Sequence, residues 1–174
     1  LMSLDRTVKF SATGPGSTAY VTTTIAANIL GLDHQIVTGY KGTKEVVLAV
    51  LRGDVDGTFR PISSLLKYHE TGDMRIILTL ETDGSLEGVP SAADIGKPGL
   101  AKLTLERMIG APPGLPPEIH AKLSDALVKA AMSPEVQEWA KSTNRPMNPI
   151  GHKEATELMQ EIMTFYVDYK DILK

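Results

Sequence analysis

Short β-prone segments alternate with apolar or amphipathic segments through the first half of the chain. Residues 7–12 (TVKFSA) alternate in hydrophobicity and predict a strand, as do residues 34–38. Residues 18–30 predict an apolar helix that ends at Gly31, and residues 44–52 predict a second helix. Strands and helices that alternate at such short intervals are typical of an α/β fold with a parallel or mixed sheet.

The same alternation continues to residue 80. Residues 55–59 predict a third strand, and residues 61–71 predict a helix that has Pro61 in its first turn. Residues 74–80 (MRIILTL) are nearly all apolar, so we expect a strand that is buried on both faces. Thr43 is expected to cap the helix over 44–52.

The pattern changes after residue 81. Residues 81–100 are rich in Gly, Asp, Ser and Pro and predict a long connection, and a strand is expected near 103–110. Helices are predicted over 117–132, 134–142 and 152–172. The last helix carries an apolar stripe that needs a partner surface, formed by Ala155, Leu158, Met159, Ile162, Met163 and Tyr166.

The second half has amphipathic helices but few strands for them to cover. The first residues, LMSLDRTVKF, lack the basic and then apolar pattern of a signal peptide. We therefore expect the chain to be a piece of a longer protein, either as a fragment or as a natural truncation.

Composition excludes several classes of function. Apolar residues make up 42% of the 174 residues, enough for a packed core, while a formal charge of -3 offers no positive field for nucleic acid or an anionic membrane. There is no cysteine, which excludes disulfides, thiolate catalysis and Cys-rich zinc sites. No apolar run approaches the roughly 20 residues that span a bilayer. A bound anion must therefore be held by local geometry.

The strongest candidate for such geometry is the strand–turn–helix over residues 13–18 (TGPGST). Its glycines let backbone amides converge at the start of a helix, where the helix dipole favours negative charge, and its hydroxyls add donors. A carboxylate or phosphate could bind there without Lys or Arg. The alternative interpretation is a tight turn that simply begins a helix.

Two further loops end predicted strands. Residues 40–42 (YKG) are expected beside the first loop, because ligands of parallel sheets bind at the carboxyl ends of strands. Asp54 and Asp56 suggest a metal, but the spacing of a calcium loop is absent, so we expect no metal.

The four His residues are scattered, Trp139 is expected in the core, and no nucleophile–base pair is visible. We therefore expect no catalytic residues and no cofactor.

Several motifs in order resemble one family. Gly-x-Gly-Ser, Y-K-G, R-G-D-V-D, G-D-M-R-I-I-L-T-L, A-P-P-G-L-P-P-E-I-H-A-K-L-S-D-A-L and M-S-P-E-V-Q-E-W are similar to segments of the periplasmic substrate-binding proteins of tripartite tricarboxylate transporters, the Bug family. The resemblance covers about residues 7–172. It implies a type II periplasmic-binding-protein clamshell, with residues 7–105 as the second, ligand-binding lobe. Residues 106–174 would be the crossover and the helices that return to the first lobe.

The resemblance also implies a site and a function. It assigns the carboxylate cradle to Thr13, Gly14, Gly16, Ser17 and Thr18. The edge of this cradle would be lined by Tyr40, Lys41 and Gly42, and Asp56 and Thr58 would lie beside the cleft. The protein would capture a small carboxylate in the periplasm and deliver it to membrane subunits, without entering the membrane itself. Two alternatives stay open, an α/β enzyme that uses Lys41 on a phosphorylated or carboxylate substrate, and a receptor that signals to a partner.

Overall fold

The computed structural model describes residues 5–84, 86–143, 145 and 147–173. The chain divides into two compact units, Leu1–Leu105 with Asp168–Lys174 and Glu106–Val167. The first unit contains strands β1 and β2, helices α1 to α3 and a 3₁₀ helix, whereas α4, α5 and nearly all of α6 lie in the second. In chain order these are β1 (Val8–Ser11), α1 (Thr18–Leu30), β2 (His34–Val37), α2 (Thr43–Leu51), α3 (Ile62–Glu70), the 3₁₀ helix (Pro98–Leu103), α4 (Pro117–Ala131), α5 (Pro134–Ser142) and α6 (His152–Asp168).

Strands β1 and β2 pair in parallel, with Val8 opposite His34 and Ser11 opposite Val37. The expected third strand over residues 55–59 is wrong, because only an isolated bridge joins Gly57 to Phe10 in the described part of the chain. The amides of both Asp56 and Gly57 donate to the carbonyl of Lys9. Two donors on one acceptor break the regular ladder of a parallel pair, so this segment follows β1 without forming a strand.

Helix α1 is buried on nearly every side. Ile25, Ala26 and Ala27 have no exposed surface. Thr23 and Thr24 are also buried, and their hydroxyls donate to the carbonyls of the residues four before them. These bonds satisfy the buried hydroxyls inside the helix, which explains how so many threonines are tolerated.

The expected strand over residues 74–80 is also wrong. A single bridge pairs Thr79 with Ser91, and the amide of Thr79 donates to the carbonyl of Pro90. Proline has no N–H, so the ladder cannot extend through Pro90. Ile76 is buried against Val47, Leu65 and Val89, whereas Ile77 is 50% exposed, so the segment is not buried on both faces.

Residues 98–103 form the 3₁₀ helix, and no regular structure follows in residues 104–111. The expected strand near 103–110 is therefore wrong. Pro98 stands at the helix start, and Leu100 and Leu103 are buried. Residues three apart lie on one face of a 3₁₀ helix, so these two leucines anchor the segment in a helical turn.

The helices of the second unit begin where the prolines predicted. Pro117 and Pro134 are the first residues of α4 and α5, and Ser133 caps α5 by accepting from the amide of Val136. The amide of His152 donates to the hydroxyl of Ser124 on α4. The prediction that Trp139 lies in the core is wrong, because its side chain is 49% exposed.

The stripe of α6 is only partly buried. Met159 and Met163 are 40% and 57% exposed, and only Phe165 among the residues of α6, all of which are described, is buried. None of the residues of α4, again all described, is buried. Ile119, Leu123 and Leu127 repeat every fourth position along α4 and are 45–48% exposed. These helices therefore carry apolar faces that are largely uncovered.

Candidate functional site

The loops that follow β1 and β2 lie side by side at one edge of the sheet. The amide of Gly39, after β2, donates to the carbonyl of Thr13, after β1, at 3.3 Å. On the other side, the hydroxyl of Thr58 donates to the carbonyl of Ser11 at 3.0 Å. Parallel strands present their carboxyl ends together. The structure therefore gathers the turn over residues 13–17, the loop over residues 39–42, and Thr58.

The turn before α1 leaves some of its hydrogen-bond donors open. Gly16 adopts a φ of 75°, and the amide of Ser17 donates to the carbonyl of Gly14 at 3.1 Å. Ser17 is the N-cap of α1, and its hydroxyl oxygen accepts from the amide of Tyr20 at 3.3 Å. Because that oxygen is the acceptor, the hydroxyl hydrogen remains available to a ligand. The first amides of the helix, beginning at Thr18, also lack intrahelical acceptors.

Free space lies in front of this turn. A Cβ atom built on Gly14 or on Gly16 meets no described atom within 4 Å beyond the glycine and its two neighbours in the chain. Ser17 is half-buried and Gly16 is exposed. The surface in front of these two glycines is therefore open.

In the loop over residues 39–42, one backbone amide is already hydrogen-bonded within the protein. The amide of Lys41 donates to the carboxylate of Glu45 at 2.8 Å. Gly42 is the N-cap of α2 and Thr43 is its first residue, so the expectation that Thr43 caps this helix is wrong. Glycine has no side chain to accept from the first turn. The first amides of α2 are therefore left without a side-chain cap.

A shallow, open depression lies beside Tyr40, along the outer side of α2. It contains no residue of the turn before α1, and it carries charges of both signs, which do not favour an anion. We therefore place the candidate site at the loop edge and not in this depression. Its lining residues are Tyr40, Lys44, Glu45, Leu48, Ala49, Arg52 and Asp54.

Asp56 is bonded to residues at the beginning of β1. Arg6 donates to both of its carboxylate oxygens, at 2.7 and 2.8 Å, and the amide of Lys9 donates to one of them at 2.8 Å. These bonds, that from Arg6 above all, hold the pKa of Asp56 at about 2, below its ordinary value of 3.8. The carboxylate therefore fixes the beginning of β1.

Replacing Asp56 by asparagine is expected to reduce the free energy of unfolding by about 1 kcal/mol at neutral pH, because the pair is near the surface. The pKa of Asp56 is lower in the folded protein than in the unfolded chain. The carboxylate therefore stabilises the fold above about pH 4, and this contribution disappears as the pH falls towards about 2. Urea unfolding at about pH 7 and about pH 3 should show the variant losing less stability in acid than the wild type does.

The exposed neighbour Asp54 provides a control with the same change of charge. Asp54→Asn should stay within about 0.5 kcal/mol of the wild type. An equal effect of both substitutions would show that net charge, and not the bond with Arg6, is responsible.

Arg60 is a residue at this edge that the sequence reasoning did not single out. It stands two residues after Thr58, and its guanidinium donates to the hydroxyl of Thr43. Its Nε is buried and has no hydrogen-bond partner among the described residues. Burial lowers the pKa of Arg60 from its ordinary value. The sequence feature that could have identified Arg60 is its position at the end of a β-prone segment, just before the helix start at Pro61.

Across the described ranges, no three side chains of His, Cys, Asp or Glu are placed to hold a metal ion together. The described helices include none that is both long and apolar enough to cross a membrane.

Comparison with known proteins identifies related sequences and folds. The family described as "Tripartite tricarboxylate transporter family receptor" matches residues 5–169. The structure is similar to Rpa4515 of R. palustris with adipate, at a TM-score of 0.67 and 18% identity over 96% of this chain. It is also similar to a TctC solute-binding protein from Polaromonas without ligand, at a TM-score of 0.70 and 18% identity over 92%. No protein of curated function matches.

In both comparisons the chain spans only 55% of the length of the solved protein. The likeness confirms the predicted α/β periplasmic-binding-protein fold, of which this chain supplies part.

Proposed function

Because the chain belongs to the tripartite tricarboxylate transporter receptor family, we propose that it is part of a periplasmic protein that binds a small carboxylate and delivers it to the membrane subunits of the transporter. Its role is capture, with no chemical step. The observation that carries this proposal is the turn over residues 13–17, where the open start of α1 meets free space at the sheet edge. Rpa4515, a protein of similar structure, is described with adipate.

In this proposal the carboxylate is held by neutral donors. One oxygen accepts from the hydroxyl of Ser17 and from the first amides of α1 near Thr18, where the helix dipole favours negative charge. Gly14 and Gly16 let the oxygen approach the backbone, and Thr13 carries the turn. Such a cradle suits a protein whose formal charge is -3, since attraction comes from oriented donors and not from a surrounding positive field.

The rest of the loop edge completes the site. Tyr40, Lys41 and Gly42 line its side through the loop that is bonded to Thr13. Thr58 lies across β1 from that loop and is fixed by its bond to Ser11. Asp56 contributes to the site indirectly, because its bond to the amide of Lys9 holds the start of β1 in place.

We further propose that residues 7–105 are the ligand-binding lobe and that residues 106–174 are the crossover and helices of the other lobe. The uncovered apolar positions of α4, repeating every fourth residue, support this assignment. Such a face fits an apolar surface of a longer protein. Closure of two lobes around a ligand would then complete the binding of the carboxylate.

Ser17→Ala is expected to weaken adipate binding about tenfold in the intact protein, because it removes a hydroxyl that donates to a charged group. Ser133→Ala is the matched control. Ser133 is also half-buried and caps α5 through the same kind of bond. Both substitutions should reduce the free energy of unfolding by about 1 kcal/mol through loss of the cap, so only the affinity should separate them.

Isothermal titration calorimetry measures the affinity, and mass spectrometry of the recovered ligand tests for conversion. Binding with unchanged adipate supports capture without chemistry. Equal affinities for the two variants would remove the turn from the site, and conversion of the ligand would contradict a role limited to binding.

A further inference from the structure

Two histidine rings meet at the starts of two helices in the second unit. His120 is the fourth residue of α4, and His152 is the first residue of α6. Their ring centres are 4.7 Å apart, with an angle of 80° between the ring planes. His120 and Ser124 share one face of α4, and the hydroxyl of Ser124 accepts from the amide of His152 at 3.0 Å. This bond fixes the start of α6 over the face that carries His120.

The ring nitrogens of this pair have no hydrogen-bond partner among the described residues. The other two histidines each use a ring nitrogen in the fold. Nδ1 of His34 lies 3.1 Å from a backbone carbonyl, and Nδ1 of His69 accepts from a backbone amide. The side chains of His120 and His152 are half-buried, and none of their unpartnered nitrogens is fully buried. An ion from solvent can therefore reach these nitrogens.

The spacing of the two rings suits a metal ion that binds both. Neutral imidazole is the commonest side-chain ligand of metals, and it suits zinc, copper and nickel. A tetrahedral ion about 2 Å from one nitrogen of each ring holds the ring centres roughly 5 Å apart, which is close to the observed 4.7 Å. The two backbone positions are therefore already set. Rotation of the side chains is enough to turn one nitrogen of each ring towards the same ion.

The charges at the two helix starts permit a cation. The start of a helix carries partial positive charge, which opposes a metal ion. Each helix has a glutamate in its first turn that offsets this charge, Glu118 in α4 and Glu154 in α6. In the described ranges no third His, Cys, Asp or Glu is placed to complete the coordination. Water fills the other positions of such an ion, as it does at open zinc sites.

We propose that His120 and His152 form a transition-metal site that joins the start of α4 to the start of α6. The ion is a divalent metal that prefers imidazole, such as Zn²⁺ or Cu²⁺. One nitrogen of each ring binds it, and the open positions hold water. The site belongs to the second unit and uses no residue of the loop edge, so it does not depend on the proposed capture of a carboxylate.

Calorimetric titration of the intact protein, prepared without a polyhistidine tag, should show saturable Zn²⁺ binding, and Cu²⁺ should bind more tightly. His120→Phe keeps an aromatic ring at the contact and removes both nitrogens. Loss of a group that only orients a metal ligand already lowers metal affinity about 10–100-fold, so His120→Phe should weaken Zn²⁺ binding at least about tenfold. His152→Phe should have the same effect.

His34→Phe is the matched control, since His34 is also half-buried and stands outside the pair. It should leave the Zn²⁺ affinity unchanged. Zinc at about a hundred times its Kd should raise the melting temperature of the wild type and of His34→Phe by about 5 °C, and that of His120→Phe by less. Equal Zn²⁺ affinity in His120→Phe and His34→Phe, or no saturable binding by the wild type, overturns the metal site and means that the two rings only pack on each other.

Discussion

Ile25→Ala is expected to reduce the free energy of unfolding by about 3–4 kcal/mol. Ile25 has no exposed surface, and it lies in the middle of a helix in which all residues from Thr22 to Ala27 are buried. Its helix packs on β1, on β2 and on the 3₁₀ helix. Because the helix is closely packed around Ile25, its surroundings can only partly move into the space that the lost side chain leaves. Urea unfolding of the intact protein measures the loss.

The milder substitution at the same site is the control. Ile25→Val removes one methyl group and should lower the free energy of unfolding by about 1 kcal/mol. The ratio between the two substitutions reports how rigidly the surroundings are packed. A loss below about 1 kcal/mol for Ile25→Ala would mean that the site collapses around the smaller side chain, which contradicts a helix packed on all sides.

The sequence predicted α1 almost to the residue because its signals are local. Ser17 accepts from the amide of Tyr20, as an N-cap does, and Gly31 at the other end adopts the left-handed conformation with a φ of 66°. No charged residue lies between them, which favours burial of the helix. Each of these features acts within one turn of helix, so no knowledge of the rest of the fold was needed.

Two of the three expected strands that failed depend on distant partners. Residues 55–59 and 74–80 have the composition of strands, but a strand exists only where a neighbour offers a matching ladder. In the first case both Asp56 and Gly57 bond to one carbonyl of β1. In the second, Pro90 stops the pairing beside Thr79. These partners lie 11 or more residues away along the chain, where periodicity gives no information.

The sequence predicted that the loops after β1 and β2 lie side by side, but it did not predict the charge pairing around them. The geometry of parallel strands brings the loops after β1 and β2 to the same edge of the sheet. The hydrogen bond from the amide of Gly39 to the carbonyl of Thr13 joins these two loops. The pairing of Asp56 with Arg6, and the unsatisfied Nε of Arg60, depend on side chains that are distant in sequence. No spacing rule distinguishes an arginine that has a carboxylate partner from one that has none.

Gly14→Ala and Gly16→Ala are expected to change different properties of the protein, the first its affinity and the second its stability. Gly16 has a φ of 75°, a region that costs residues with a side chain about 1–2 kcal/mol. Gly16→Ala should therefore lower the free energy of unfolding by that amount. Gly14 is outside this region, and its added Cβ meets no described atom within 4 Å. Gly14→Ala should therefore change stability by less than about 0.5 kcal/mol.

Binding is where Gly14 should matter. In the proposed site, a carboxylate oxygen reaches the first amides of α1 through the space in front of Gly14, so a methyl group there should weaken adipate binding about tenfold by removing a charge-assisted bond. Chemical denaturation and calorimetry on the same samples separate the two effects. A Gly14→Ala variant that keeps both its stability and its affinity would show that the turn only begins a helix. A variant that keeps its stability and loses affinity requires the ligand itself to occupy that space, because no part of the described protein does.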